Sequence, residues 1–153
     1  MWGILIFVSW LVKKMPLITG GGIPQTRGVI NGRVAYKHPF IEVIAKFVGG
    51  ILALSTGLSL GREGPSVQIG SYVGCLVSKW GRVLAGERKQ LLAAGAGAGL
   101  AAAFAAPLAS SLLVIESIER FDAPKTAITT LLAGVVAGGV ASWLFPINPY
   151  FQI

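Results

Sequence analysis

The sequence GREGPSVQIG, residues 61–70, interrupts an otherwise apolar part of the chain. It separates an apolar segment at residues 41–60 from another that runs to about residue 77. Clustered glycines end helices, whereas proline is favoured in the first turn of a new one. This stretch therefore predicts a helix break at residues 61–65 and a helix start within it.

A second stretch of the same kind lies upstream, where residues 18–25 read ITGGGIPQ. Its glycines also precede a proline, Pro24, which predicts another helix start. The first N–H groups of a helix are unpaired and carry a partial positive charge, so they can bind an anion without a cationic side chain. Such weak binding suits conduction. The alternatives are a flexible loop and a nucleotide-phosphate loop, although the GxxxxGK[ST] pattern of the latter is absent.

Glu63 lies inside the first stretch, between two apolar segments. A carboxylate in such a place is costly, which makes Glu63 a candidate functional residue. Beside an anion site, the ionised side chain can occupy the place of the anion, and the protonated side chain leaves that place free. Proton binding would then control anion movement. A salt bridge with a cationic neighbour and a capping role at the helix start are the structural alternatives.

The composition indicates a membrane protein, because 54% of the residues are hydrophobic and only 12% are charged. Soluble domains carry about 25% charged residues. The apolar blocks include residues 2–12, 41–60, 91–115 and 127–145. Gly95 and Gly99 predict a face for close helix packing, and Pro107 predicts a kink or a break. We therefore predict an all-α, polytopic integral membrane protein with short, tilted and broken helices, forming a single transmembrane domain over residues 1–153.

The charged residues predict topology and partners. The net charge is +7, and residues 13–39 contain basic side chains but no acid, which places this segment in the cytoplasm by the positive-inside rule. The scattered basic residues fit lipid headgroups or attraction of anions, but not nucleic-acid binding. Residues 79–89 and 116–125 are predicted to be charged loops. Glu42 and Lys46 are one helical turn apart and can form an ion pair.

The sequence lacks the residues that several classes of protein function require. Cys75 is the only cysteine and His38 the only histidine in the sequence, so an internal disulfide and a metal-ligand cluster are both excluded. There is no nucleophile–base pair that would indicate an enzyme, and no cofactor is implied. The N-terminal apolar run precedes its charges, unlike that of a signal peptide.

Three motifs together resemble the successive signatures of the CLC family of chloride channels and chloride/proton antiporters. They are GGGIPQ at residues 20–25, GREGPSVQIG at residues 61–70 and GAGAGLAAAFAAPLASSLLVIE at residues 95–116. The combination of the second and third motifs is specific, whereas GGGIP alone is not. The resemblance implies a homodimer with a pore in each subunit and two inverted repeats per subunit. This chain would cover most of the first repeat, without its opening helices, and would be a fragment or a truncated product.

The resemblance also implies roles for individual residues. Glu63 matches the gating glutamate, and Gly21 falls where many members carry a serine that contacts the central anion. Ser117 falls where many antiporters carry a second, proton-handling glutamate. Glu116 is a weaker candidate for the proton path, because Glu116 and Glu119 also fit a solvated helix end. The predicted anion-binding backbone comprises the residues of both helix starts: Gly20, Gly21, Gly22, Ile23, Pro24, Arg62, Glu63, Gly64 and Pro65.

The expected function is chloride transport by a multi-pass protein of the plasma membrane, as a chloride/proton antiporter gated by Glu63. Its partners would be chloride, protons, membrane lipid and a second copy of the protein. Gly21 leaves fluoride or nitrate as alternative anions, and Ser117 leaves a channel without proton coupling as an alternative mechanism. Gln25 and Arg27 stand where some members carry acids, which makes the pore entrance more positive. A membrane assembly subunit without transport is the alternative from another class.

Overall fold

Prolines mark helix starts in the computed structural model, which describes residues 2–57, 61–119 and 124–145. Pro24, Pro39 and Pro107 each lie in the first turn of a helix, where the missing N–H leaves no bond unmade. The α-helices are α1 Trp2–Lys14, α2 Ile23–Ile30, α3 Pro39–Ser55, α4 Glu63–Trp80, α5 Ala85–Phe104, α6 Pro107–Val114 and α7 Pro124–Leu144. A 3₁₀ turn at Pro16–Ile18 precedes α2, and a π-helical turn at Ile115–Glu119 follows α6. Every described element is helical, which confirms the predicted all-α class.

Helix α5 lies at the centre and packs against α4, α6 and α7. The backbones of α5 and α4 are in direct contact. A side chain on Gly95 of α5 would overlap the carbonyl of Gly70 of α4. A side chain on Gly99 would overlap the carbonyl of Ser66 in the same way. The predicted packing face at Gly95 and Gly99 is therefore confirmed.

The helix is interrupted between α5 and α6, as predicted from Pro107. Ala105 adopts a left-handed φ of 51° after the last residue of α5. The Ser111 hydroxyl lies 2.7 Å from the carbonyl oxygen of Pro107 and 3.2 Å from that of Thr130. This hydroxyl therefore fixes α7 against the first turn of α6.

The described residues of the two predicted charged loops are largely helical, which corrects the prediction for those residues. Lys79 lies in the last turn of α4, and Arg88 and Lys89 lie in α5, so only residues 81–84 connect these helices. Lysine and arginine are good helix formers, and the helices continue beyond their apolar parts. In the second of these loops, Glu116 lies in the π-helical turn and Lys125 in α7, while Arg120 and Asp122 lie outside the described residues.

The outer surface of the described residues is apolar. Large side chains such as Ile6, Phe47 and Leu132 are mostly exposed, whereas Thr26 and Ser71 are buried. This distribution suits contact with lipid or with further protein. By length and composition, α7 is the one helix in the described part of the chain that could cross a membrane by itself.

Candidate anion site at two helix starts

The two predicted helix starts are in direct contact. Helix α2 begins at Ile23, after Gly22 with a left-handed φ of 88°, and α4 begins at Glu63. A side chain on Gly64 would overlap the carbonyl of Gly21, and a Cβ on Gly22 would lie 2.8 Å from the Gly64 carbonyl oxygen. We call residues 20–23 and 62–64 the paired helix starts.

The backbone hydrogen bonds of the first turns show which groups of the paired helix starts are already used. The Gly22 carbonyl accepts from the N–H of Thr26 at 2.9 Å, and the Arg62 carbonyl accepts from the N–H of Ser66 at 3.2 Å. These carbonyls are therefore used inside the helices, while the N–H groups of Ile23, Glu63 and Gly64, in the first turns, have no intrahelical acceptor. The positive ends of two helix dipoles lie together there, which favours an anion.

Two members of the predicted backbone set cannot donate. Pro24 and Pro65 have no N–H, so they set the helix direction but contribute no hydrogen bond to an anion. Pro24 lies in the first turn of α2, and Pro65 follows the first two residues of α4. The possible donors are therefore the N–H groups of residues 20–23 and 62–64, which include no proline.

Lys46 of α3 supports the glycine loop before α2. Its Nζ donates to the carbonyls of Ile18 and Gly20, at 2.8 Å each, and the side chain is only 5% exposed. The predicted ion pair with Glu42 is wrong, because Lys46 instead satisfies loop carbonyls that helix formation leaves unpaired. The sequence spacing gave no signal for these contacts.

A cavity of about 290 Å³ opens beside both helix starts. Lys46, Gly20, Gly21, Gly61 and Pro65 contribute to its wall. The lysine ammonium therefore adds positive charge on one side of this cavity.

Glu63 borders a second cavity, of about 210 Å³, whose wall also includes Ile23, Phe104 and Ser110. The Glu63 side chain is exposed, and in the described part of the chain it forms no ion pair and no capping hydrogen bond. The neighbouring Arg62 instead lies 5.2 Å from the centre of the Phe104 ring. Neither structural alternative for Glu63 is therefore formed among the described residues.

A buried polar network, which the sequence analysis missed, extends inward from the paired helix starts. Gln68 packs against Gly22, and its Nε2 donates to the carbonyl of Leu17 at 2.7 Å and to the Tyr72 hydroxyl at 3.2 Å. The Tyr36 and Tyr72 rings lie 4.2 Å apart, centre to centre. Helical spacing places Gln68 and Tyr72 on one face of α4, but no local pattern points to Tyr36.

The other predicted residues are Glu116, Ser117 and Glu119 of the π-helical turn and Gln25 of α2. Glu116 and Ser117 are exposed in the π-helical turn, and neither borders the two cavities described above. The side chain of Glu119 lies outside the described residues. Gln25 follows the start of α2, and its Nε2 donates to the carbonyl of Thr19 at 2.7 Å, which closes the glycine loop.

Known proteins match both the sequence and the fold. Residues 4–153 match the family model described as voltage gated chloride channel. The H(+)/Cl(-) exchange transporter ClcA of Vibrio cholerae serotype O1 is 40% identical over 140 residues, which cover 89% of this chain and 30% of that protein. ClcA of Citrobacter koseri is 39% identical over 139 residues, covering 89% and 29%.

A solved structure supports the same relationship. The X-ray crystal structure of a slow cyanobacterial Cl-/H+ antiporter matches with a TM-score of 0.80 and 36% sequence identity. The match covers 91% of this chain and 33% of that one. The chain therefore spans about a third of the length of the proteins that it matches.

Proposed function

Because the chain belongs to the voltage gated chloride channel family, we propose that its paired helix starts form part of a chloride pathway through a membrane. The contact between Gly21 and Gly64 carries this proposal, since it brings two positive helix ends to one place. Chloride needs several weak donors rather than one strong partner if it is to bind and leave rapidly. Backbone N–H groups at helix starts supply such donors.

Glu63 is the gate in this proposal. It is the first residue of α4, and it borders the same cavity as Ile23, the first residue of α2. An ionised Glu63 can therefore turn its carboxylate toward the helix ends that would otherwise hold chloride. Protonation removes the charge that draws the carboxylate there, and chloride can then bind.

We infer that the whole protein exchanges chloride for protons, with a channel without proton coupling as the alternative that Ser117 leaves open. The names of the relatives and of the solved structure describe exchange of chloride and protons, which supports the same activity here. Gly21 has no hydroxyl to offer the anion, so fluoride or nitrate is the alternative substrate. We place the protein in the plasma membrane as a multi-pass homodimer, in contact with lipid through its apolar outer surface.

The experiment is Glu63→Gln in the full-length protein, reconstituted into liposomes. Glutamine resembles protonated glutamate in shape and cannot ionise, so chloride flux should continue while coupled proton flux is lost. Chloride flux is measured with an ion-selective electrode and proton flux with a pH electrode. Glu87→Gln is the matched control, because Glu87 is exposed in the first turn of α5, and it should change neither flux.

Two results would contradict the gating role. Proton flux that remains coupled to chloride in Glu63→Gln would show that another group carries the proton step. A variant that fails to accumulate as folded protein would instead indicate an ion pair of Glu63, because removal of one partner leaves a poorly solvated cation unpaired at a cost of about 3–5 kcal/mol.

A further inference from the structure

Four consecutive backbone carbonyls, those of residues 17–20, lie just before the start of α2. In the described part of the chain, none of them accepts a hydrogen bond from a backbone N–H group. A backbone carbonyl that is shielded from water costs free energy unless another group pairs with it. Side chains must therefore satisfy the carbonyls of this segment.

Three side chains from three different helices donate to these carbonyls. The donors are Gln68 Nε2 on α4, Lys46 Nζ on α3 and Gln25 Nε2 on α2. In the same order, the acceptors are the carbonyls of Leu17 at 2.7 Å, of Ile18 and Gly20 at 2.8 Å each, and of Thr19 at 2.7 Å. We call Gln25, Lys46 and Gln68 the carbonyl clamp.

The two glutamines of the clamp form these bonds at a cost. Only the NH₂ group of an amide can donate to a carbonyl, so the carbonyls fix the orientation of both amides. In this orientation, Oε1 of Gln25 and Oε1 of Gln68 are buried, and neither has a hydrogen-bond partner among the described residues. A buried polar atom without a partner is rare in native proteins and needs an explanation. The hold on the carbonyls before α2 supplies one.

The next two carbonyls of the chain also have fixed places. The Gly21 carbonyl lies against Gly64 of α4, and the Gly22 carbonyl accepts from the N–H of Thr26 at 2.9 Å. By contrast, the N–H groups of residues 20–23 have no backbone acceptor in the part of the chain that the structure describes. The carbonyls of residues 17–22 are thus all engaged, while four successive N–H groups remain available to a ligand.

A backbone loop can bind a cation through its carbonyls or an anion through its N–H groups, so its orientation decides the charge of its ligand. We propose that the carbonyl clamp makes the segment before α2 selective for anions. Gln25 and Gln68 are then positioning residues, which act on the anion through the backbone that they hold. This inference rests on the proposed chloride site but is independent of the gating role of Glu63.

The test measures chloride binding to the full-length protein by titration calorimetry. Gln25→Met and Gln68→Met keep similar bulk but cannot donate, so each variant frees one carbonyl, whose oxygen repels an anion when it turns toward the site. Chloride binding should weaken roughly threefold to tenfold in each variant, which corresponds to the loss of one hydrogen bond. Gln90→Met is the matched control for Gln25, because Gln90 is also half-buried but lies on α5, and it should leave chloride affinity unchanged.

Tyr72→Phe is the matched control for Gln68. It removes the second acceptor of Gln68 Nε2 but leaves the bond to the Leu17 carbonyl in place, so it should lower the thermal stability without weakening chloride binding. Amide hydrogen exchange reports on the loop itself. Peptides that cover residues 15–25 should exchange faster in Gln25→Met and Gln68→Met than in the unmodified protein, and no faster in the two controls.

Three outcomes would overturn the inference. The first is an unchanged chloride affinity in Gln25→Met, a result that decides the question alone if Gln68→Met does not fold. The second is an equal loss of affinity in a clamp variant and its matched control, which would show a general effect of destabilisation. The third is an unmodified protein that binds no chloride, which would overturn the proposed chloride site itself and the role of the clamp with it.

Discussion

Gly64 of α4 lies directly against the backbone carbonyl of Gly21, so that a side chain at position 64 would overlap this carbonyl. A Cβ at Gly21, by contrast, would meet nothing within 4 Å. Gly21 can therefore accept a side chain, whereas Gly64, the other glycine of the same contact, cannot. Gly64 sets the separation of the paired helix starts, while Gly21 leaves open space beside them.

Gly64→Ala should force the paired helix starts apart, and Gly21→Ala is its matched control. The new methyl group at position 64 meets backbone, which cannot move aside as a side chain does, so we expect a loss of about 1–3 kcal/mol in the free energy of unfolding. The control should stay within about 0.5 kcal/mol of the unmodified protein. Thermal unfolding of the full-length protein in detergent measures both. Equal stability of the two variants would contradict the close contact.

The helix boundaries could be predicted because glycine and proline act locally. The break at residues 61–65 and the break before Pro107 follow from the conformations of these residues alone. That Gly21 meets Gly64 could not be predicted from either stretch, because the contact depends on how α2 and α4 pack together. The family resemblance supplied this pairing only as an expectation.

Lys46 shows why part of the site could not be predicted. Its spacing from Glu42 fits an ion pair on a helix surface, and this local pattern gave the wrong partner. In the structure, the Lys46 ammonium donates to the carbonyls of Ile18 and Gly20, which belong to a segment distant from Lys46 in the sequence. Tyr36 was missed for the same reason, since its partners Ser71 and Tyr72 lie on α4.

Lys46→Met should destabilise the protein and weaken chloride binding. Methionine fills similar space, but it leaves the carbonyls of Ile18 and Gly20 without their donor. Ile18 is buried, and an unpaired buried carbonyl costs about 1–3 kcal/mol. It also removes a positive charge from the cavity beside the paired helix starts. Thermal unfolding and chloride calorimetry report the two effects. Lys37→Met, at an exposed loop position, is the control, and equal losses in both variants would contradict the role of Lys46.

The segment of residues 13–39 should lie on the cytoplasmic side. It contains basic residues without any acid, and Asn31 is exposed within it. Asn31→Cys should therefore react with a membrane-impermeant maleimide in inside-out vesicles and not in intact cells. The native Cys75 is fully buried, so the unmodified protein should remain unlabelled in both preparations and serves as the control. Labelling of Asn31→Cys in intact cells would reverse the predicted topology.

Leu132→Trp should weaken the homodimer without unfolding the subunit. Leu132 lies on α7, where Ile128, Val136 and other large apolar side chains are also exposed. The family resemblance implies a dimer face formed partly by the helices of residues 91–145, which include α7. A tryptophan is too large for a close-packed helix interface and should shift the protein toward the monomer. Ile51→Trp on α3, at a similarly exposed apolar position, is the control for increased bulk in a lipid-facing site. Single-molecule photobleaching of the full-length protein in liposomes counts subunits per particle. A dimer fraction that falls equally in both variants, or in neither, would contradict a dimer contact through α7.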